Sequence, residues 1–186
     1  MVLYSILVFA HVAANIIGVG GATMSDALFF RSIKDKKISE DEYALLKQAG
    51  MVIWAALGVL VLSGILLVLR EHFILGGSER LSKGFFHMKM FLVLAIAING
   101  VVFHKKVLPF MKANTGVDMR KKLFVKHYWL FTSTGTISIL SWWSIVLLVF
   151  TQPQMDFLSL LIAYTVVLLI GVLVAYALFT HALKQK

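Results

Sequence analysis

The chain has 186 residues, 60% of them apolar and 15% charged, with a mean hydropathy of +0.88. That hydropathy lies above the range of soluble globular domains and predicts an all-α polytopic membrane bundle that takes up the whole chain, residues 1–186. The absence of cysteine excludes iron–sulfur clusters, zinc–thiolate sites, disulfides and thiol catalysis. The formal charge of +9 comes with no nucleic-acid-binding motif, so it is read as topology and contact with anionic lipid.

A spanning helix needs about 20 mostly apolar residues. Five such runs are present, at about residues 2–24, 48–69, 84–104, 128–150 and 157–180. Closed barrels are excluded, because Met51 to Leu69 and Phe157 to Leu178 are apolar on nearly all faces rather than alternating. After span 1, Ser39-Glu40-Asp41-Glu42 has the spacing of a capping box and predicts that helix 2 begins near Glu40, in water. Gly76-Gly77-Ser78 is a predicted turn between spans 2 and 3. Pro109 and Asn114-Thr115-Gly116 are predicted to break the chain before span 4, and Gln152-Pro153 to make a tight turn before span 5.

Charge predicts orientation. The connection between spans 1 and 2, the connection between spans 3 and 4, and the C-terminus hold fourteen of the 18 Lys and Arg residues. The opposite side holds only Arg70, Arg80 and Lys83, with Lys89 just inside span 3. By the positive-inside rule the N-terminus faces outward and the C-terminus the cytoplasm. The expected location is a bacterial cytoplasmic (inner) membrane. No cleaved signal peptide is expected, since no basic residue precedes the first apolar run and its middle carries His11 and Asn15.

Polar side chains inside spans are costly without partners, so they are the candidate functional residues. In span 1, His11, Asn15 and Asp26 fall within about 60° of arc at 100° per residue. Ala10, Ala14 and Gly18, spaced by four, permit close approach of a neighbouring helix. Two readings of His11 and Asn15 stay open: hydrogen bonding to a neighbouring helix, or cofactor or proton work. Span 3 opens with Gly84-Phe85-Phe86-His87-Met88-Lys89. His87 can ligate a metal, and Lys89 either snorkels outward or offers a cation to an anionic group. Residues two apart on a helix point about 200° apart, which counts against His87 and Lys89 serving one point. Asn99 reads as a helix–helix hydrogen-bonding residue; Thr134, Ser138 and Ser141 in span 4, at i, i+4 and i+7, read as bonding to their own helix or to a facing one, with a hydrated or cofactor-facing stripe as the alternative. Trp54, Trp129, Trp142 and Trp143 read as anchors or packing, and His104, His127 and His181 as boundary histidines. At ~1.5 Å per residue His11 lies about 13 Å and His87 about 5 Å from the outer boundary. Both belong to the outer half, where two histidines on separate helices are what a b-type haem needs for axial ligation.

At these residues the sequence resembles the HemJ-type membrane protoporphyrinogen oxidases and, more loosely, the related small CopD-like membrane domains. The resemblance covers about residues 5–105. It rests on His11, the Gly18 to Gly21 stretch and Phe29-Phe30-Arg31 in the first span, Gly64 in the second, and above all Phe85-Phe86-His87-Met88-Lys89. The family's Trp and Leu-Pro-Arg elements after the first histidine have no counterpart, nor do spans 4 and 5 with Ser141-Trp142-Trp143-Ser144. The resemblance implies haem b held by His11, with the His87-x-Lys89 element of span 3 nearby, so that His87 is expected as second ligand or propionate partner. From the residues themselves, Asn15 on the polar face of span 1 is expected beside the cofactor and Lys89 as a catalytic cation, with a quinone or porphyrin as candidate substrate. The expected function is therefore a haem-binding membrane oxidoreductase or electron-transfer protein. Its alternatives are a non-catalytic membrane subunit of a larger complex or homo-oligomer, and a small proton, metal or solute transporter.

Overall fold

The computed structural model describes residues 2–74, 77 and 79–184. Seven α-helices are described, with no strand among those residues: α1 (Val2–Asp35), α2 (Glu40–Ile74), α3 (Gly84–Val102), α4 (Leu108–Ala113), α5 (Lys122–Val125), α6 (Tyr128–Thr151) and α7 (Phe157–Lys184). A 3₁₀ turn, Glu79–Ser82, precedes α3. A π turn, Phe103–Val107, joins α3 to α4 so that Gly84–Ala113 runs as one rod. Five helices are long and apolar enough to cross a membrane. Their outward faces carry large apolar side chains such as Phe9, Leu62, Phe150 and Leu169, a surface that water would not tolerate and lipid would. The protein is thus a polytopic α-helical membrane protein.

Each predicted span lies within a helix, and four of the helices run past the predicted ends: α2 to Ile74 and α7 to Lys184 by a few residues, α1 and the third rod by more. Helix α1 continues to Asp35, eleven residues past the apolar run, because nothing in Ser25 to Lys34 breaks a helix; those residues carry its polar end beyond the apolar run. Pro109 does not break the chain. A proline has no N–H and its ring collides with the carbonyl four residues back, so a regular α-helix would fail at Lys105. The π turn absorbs the defect: the Leu108 N–H donates to the Phe103 carbonyl, and Pro109 sits harmlessly in the first turn of α4. Of the predicted Gly76-Gly77-Ser78 turn, Gly76 and Ser78 lie outside the described residues, as does Lys186 of the charge asymmetry.

The capping box forms as its spacing predicts. The Glu42 N–H donates to Ser39 Oγ at 3.1 Å, and the Ser39 N–H donates to Glu42 Oε2 at 2.9 Å. Ser39→Ala should therefore destabilise the start of α2 by about 1 kcal/mol, read as a lower unfolding midpoint with unchanged helix content. At the same end the Gly116 and Met119 N–H groups donate to Ile38 and Lys36 carbonyls at 2.8 Å, so the two basic connections are stitched together. Arg120 clasps Asp118 there and holds its carboxyl down to about 2. At the far end Asp156 begins α7 by accepting from the N–H groups of Leu158 and Ser159, and a bond from the Ser159 hydroxyl lowers its carboxyl below the ordinary range.

Two apolar clusters hold the bundle. One, through the middle, joins Ala14, Leu60, Met88, Leu92, Trp142 and Tyr164; the other, at the basic end, joins Ile38, Met111, Met119, Phe124 and Phe179. Helix α1 packs chiefly on α2 and then on α6, while α3 packs on α6 and α7. The small-residue spacing in α1 is used at Gly18, whose Cα lies against the fully buried indole of Trp142. Thr134 Oγ1 returns its proton to its own helix at Leu130, while Ser141 Oγ pairs across with the Tyr164 hydroxyl at 2.8 Å.

Candidate functional site

Two groups of polar side chains sit inside the bundle, one towards each end. The first is centred on His11. Its Nδ1 lies 3.1 Å from the Leu60 carbonyl and 3.0 Å from Ser63 Oγ, both on α2. The Ser63 hydroxyl gives its own proton to the Val59 carbonyl at 2.6 Å, so towards His11 it accepts. Two acceptors at Nδ1 put the imidazole proton there and leave Nε2 with a free lone pair. Gly64 makes room for the ring: a Cβ at that position would stand 3.2 Å from His11 Cε1. One turn along α1, Asn15 is half-buried, and its Oδ1 is sealed from solvent with no hydrogen-bond partner.

Lys89 belongs to this group and His87 does not. The Lys89 ammonium lies 5.0 Å from the centre of the Phe85 ring and within electrostatic reach of His11. His87 is exposed, with Nδ1 3.2 Å from the Lys83 carbonyl and its ring edge-on to Phe86 and to Phe157 of α7. The two imidazoles are framed by different helices, as the 200° between positions 87 and 89 requires. The chain therefore offers one oriented imidazole, an unsatisfied amide oxygen and an ammonium group at this end. That donor set suits a cofactor with a single histidine ligand and an anionic substituent, and it supplies no second histidine from α3. Among the described residues no cluster of three or more His, Asp and Glu side chains could hold a metal ion by itself.

The second group lines a cavity of about 80 Å³ towards the basic end. Its wall brings together Asp26 from α1, Trp54 from α2, Asn99 from α3, His104 from the π turn, and Thr134, Ser138 and Trp142 from α6. The Asn99 amide donates to the Thr134 carbonyl at 2.9 Å, the interhelical bond expected of it. Asp26 presses on α6, where a Cβ at Gly135 would come 3.1 Å from its Oδ1. Trp54 is not a boundary anchor and His104 is not a solvated boundary histidine: the indole Nε1 donates to His104 Nδ1 at 3.1 Å, and both are half-buried. Sequence reasoning missed this pair because hydropathy puts both near span ends. The available signal was Pro109, five residues after His104, which announces an irregular helix at that level.

No family model, curated protein or solved structure matches the chain, so both groups are read from their own chemistry.

Proposed function

We propose that the protein is a membrane oxidoreductase or electron-transfer protein that holds a b-type haem through His11. The observation that carries this reading is the hydrogen bonding of His11: with Nδ1 donating to Leu60 and Ser63, the tautomer and ring orientation are set and Nε2 is left as a ligand. Haem, when bound, would supply one-electron redox chemistry. The chain's own residues do the rest. His11 would ligate the iron, Ser63 and Leu60 keep its proton on Nδ1, Asn15 would offer the unsatisfied Oδ1, and Lys89 would meet a propionate or substrate carboxylate. The resemblance to HemJ-type proteins supports a quinone or porphyrin as substrate. An absorption spectrum of the purified protein tests the reading: a Soret band and a b-type pyridine haemochrome are expected, and a colourless, folded protein would overturn it.

The charge asymmetry supports an N-terminus outside and a C-terminus in the cytoplasm. A reporter fused after Lys186 should be active only as a cytoplasmic reporter. Activity of a periplasmic reporter there would reverse the orientation and put the His11 group on the cytoplasmic side.

A further inference from the structure

The cavity at the basic end is not used by a cofactor held at His11, and its chemistry is different. Asp26 faces it from α1, and no hydrogen bond or ion pair reaches that carboxyl among the described residues. No Lys or Arg lines the wall. A carboxylate withdrawn from bulk water without a counter-ion is strongly unfavourable, and the simplest species that neutralises it is a proton. The opposite wall carries complementary groups. Trp142 is fully buried and its Nε1–H has no acceptor. Ser138 has no partner for its hydroxyl, and Asn99, having spent its amide nitrogen on Thr134, has Oδ1 to offer. An unmet acceptor, an unmet donor and a hydroxyl around one space match water, which both donates and accepts. Room of about 80 Å³ holds more than one molecule, since a water needs only about 10–15 Å³ by the same measure.

We propose that this cavity is a hydrated proton-exchange site, in which Asp26 takes up a proton from bound water and returns it. On uptake, hydronium in the cavity gives its proton to the Asp26 carboxylate, leaving a neutral carboxylic acid and a water molecule; release is the reverse. From α3 and the π turn the one titratable group on the wall is His104. From α2 and α6 there is none, because those helices contribute Trp54, Thr134, Ser138 and Trp142 to the wall. His104 is held by Trp54, whose indole can only donate, so its Nδ1 accepts and its Nε2 carries the proton. The same Nδ1 lies 3.0 Å from the Gly100 carbonyl. A proton arriving at Nδ1 would therefore break the Trp54 bond and make the Gly100 bond instead. The π turn that carries His104 is the kind of helix irregularity found at functional sites. The site stands apart from the His11 group and needs no cofactor, so its test does not depend on the haem reading.

Infrared difference spectroscopy of the purified protein, titrated from mildly alkaline to mildly acidic pH in water and in heavy water, tests it. Wild type should develop the C=O stretch of a protonated carboxylic acid that moves to lower frequency in heavy water. Asp26→Asn should lose that band entirely. Gly135→Ala keeps the carboxyl but brings a methyl group to 3.1 Å from Oδ1, and should shift the band without removing it. Equal bands in wild type and Asp26→Asn would overturn the proposal. So would an Asp26 band that does not exchange in heavy water, since the cavity would then be dry. If Asp26→Asn fails to fold, Gly135→Ala decides, and a band unmoved in that variant overturns the assignment.

Discussion

Gly18→Ala should destabilise the bundle by about 3 kcal/mol, the upper part of the range for overpacking a filled core. A Cβ at position 18 would lie 2.2 Å from Cη2 of Trp142 and 2.4 Å from Cζ3, far inside contact distance. Neither side can yield easily. Trp142 is 0% exposed and belongs to the central cluster with Leu60, Met88 and Leu92, so its ring can move only by displacing those neighbours or by filling the cavity it lines; the other response is for α1 and α6 to separate. The measurement is thermal or denaturant unfolding in detergent, followed by tryptophan emission. Trp142→Leu alone should also destabilise, by about 3 kcal/mol, because it leaves a cavity. The double variant should be distinctly more stable than the sum of the two, since the smaller side chain makes room for the new methyl group. Additive losses, or a Gly18→Ala protein as stable as wild type, would show that the indole does not seat on Gly18.

The haem reading leads to an all-or-none contrast between two histidines. His11→Ala should abolish haem retention, whereas His87→Ala should keep it, because His87 is exposed and turned to Phe157. Ser63→Ala removes one of the two acceptors at His11 Nδ1 and should weaken haem affinity by about tenfold, the usual effect of losing a group that orients a ligand. Lys89→Met should retain the haem but shift its redox potential, since an anionic substituent would be left without its cation in a low-dielectric site. Haem content by pyridine haemochrome and potential by spectroelectrochemistry separate these outcomes. Unchanged haem in His11→Ala would reject the ligand assignment. Haem lost in His87→Ala with fold intact would mean that His87 reaches the cofactor after all.

The amino-acid sequence by itself determined the elements that depend on chain-local physics. Five apolar runs specify five long helices whatever their neighbours, because a backbone in lipid must satisfy its hydrogen bonds within each segment. The Ser39 to Glu42 spacing placed the start of α2, because a capping box is closed by residues three apart. The angle between positions 87 and 89 already implied that His87 and Lys89 would part company, and in the bundle they do. What only the tertiary structure decided are the relations between helices, for which no local spacing exists. The turning of His11 onto Leu60 and Ser63 depends on how α1 rotates against α2; the polar stripe of α1 showed which residues face inward but not which helix they would meet, because α2 is apolar on nearly all faces. The meeting of Asp26, Trp54, His104 and Trp142 around one cavity needs four segments at one depth. The seating of Trp142 on Gly18 is a contact between helices that no local spacing announces. The π turn is chain-local and Pro109 signals it, but only the packing of the third rod brings His104 to the level of Asp26 and Trp142.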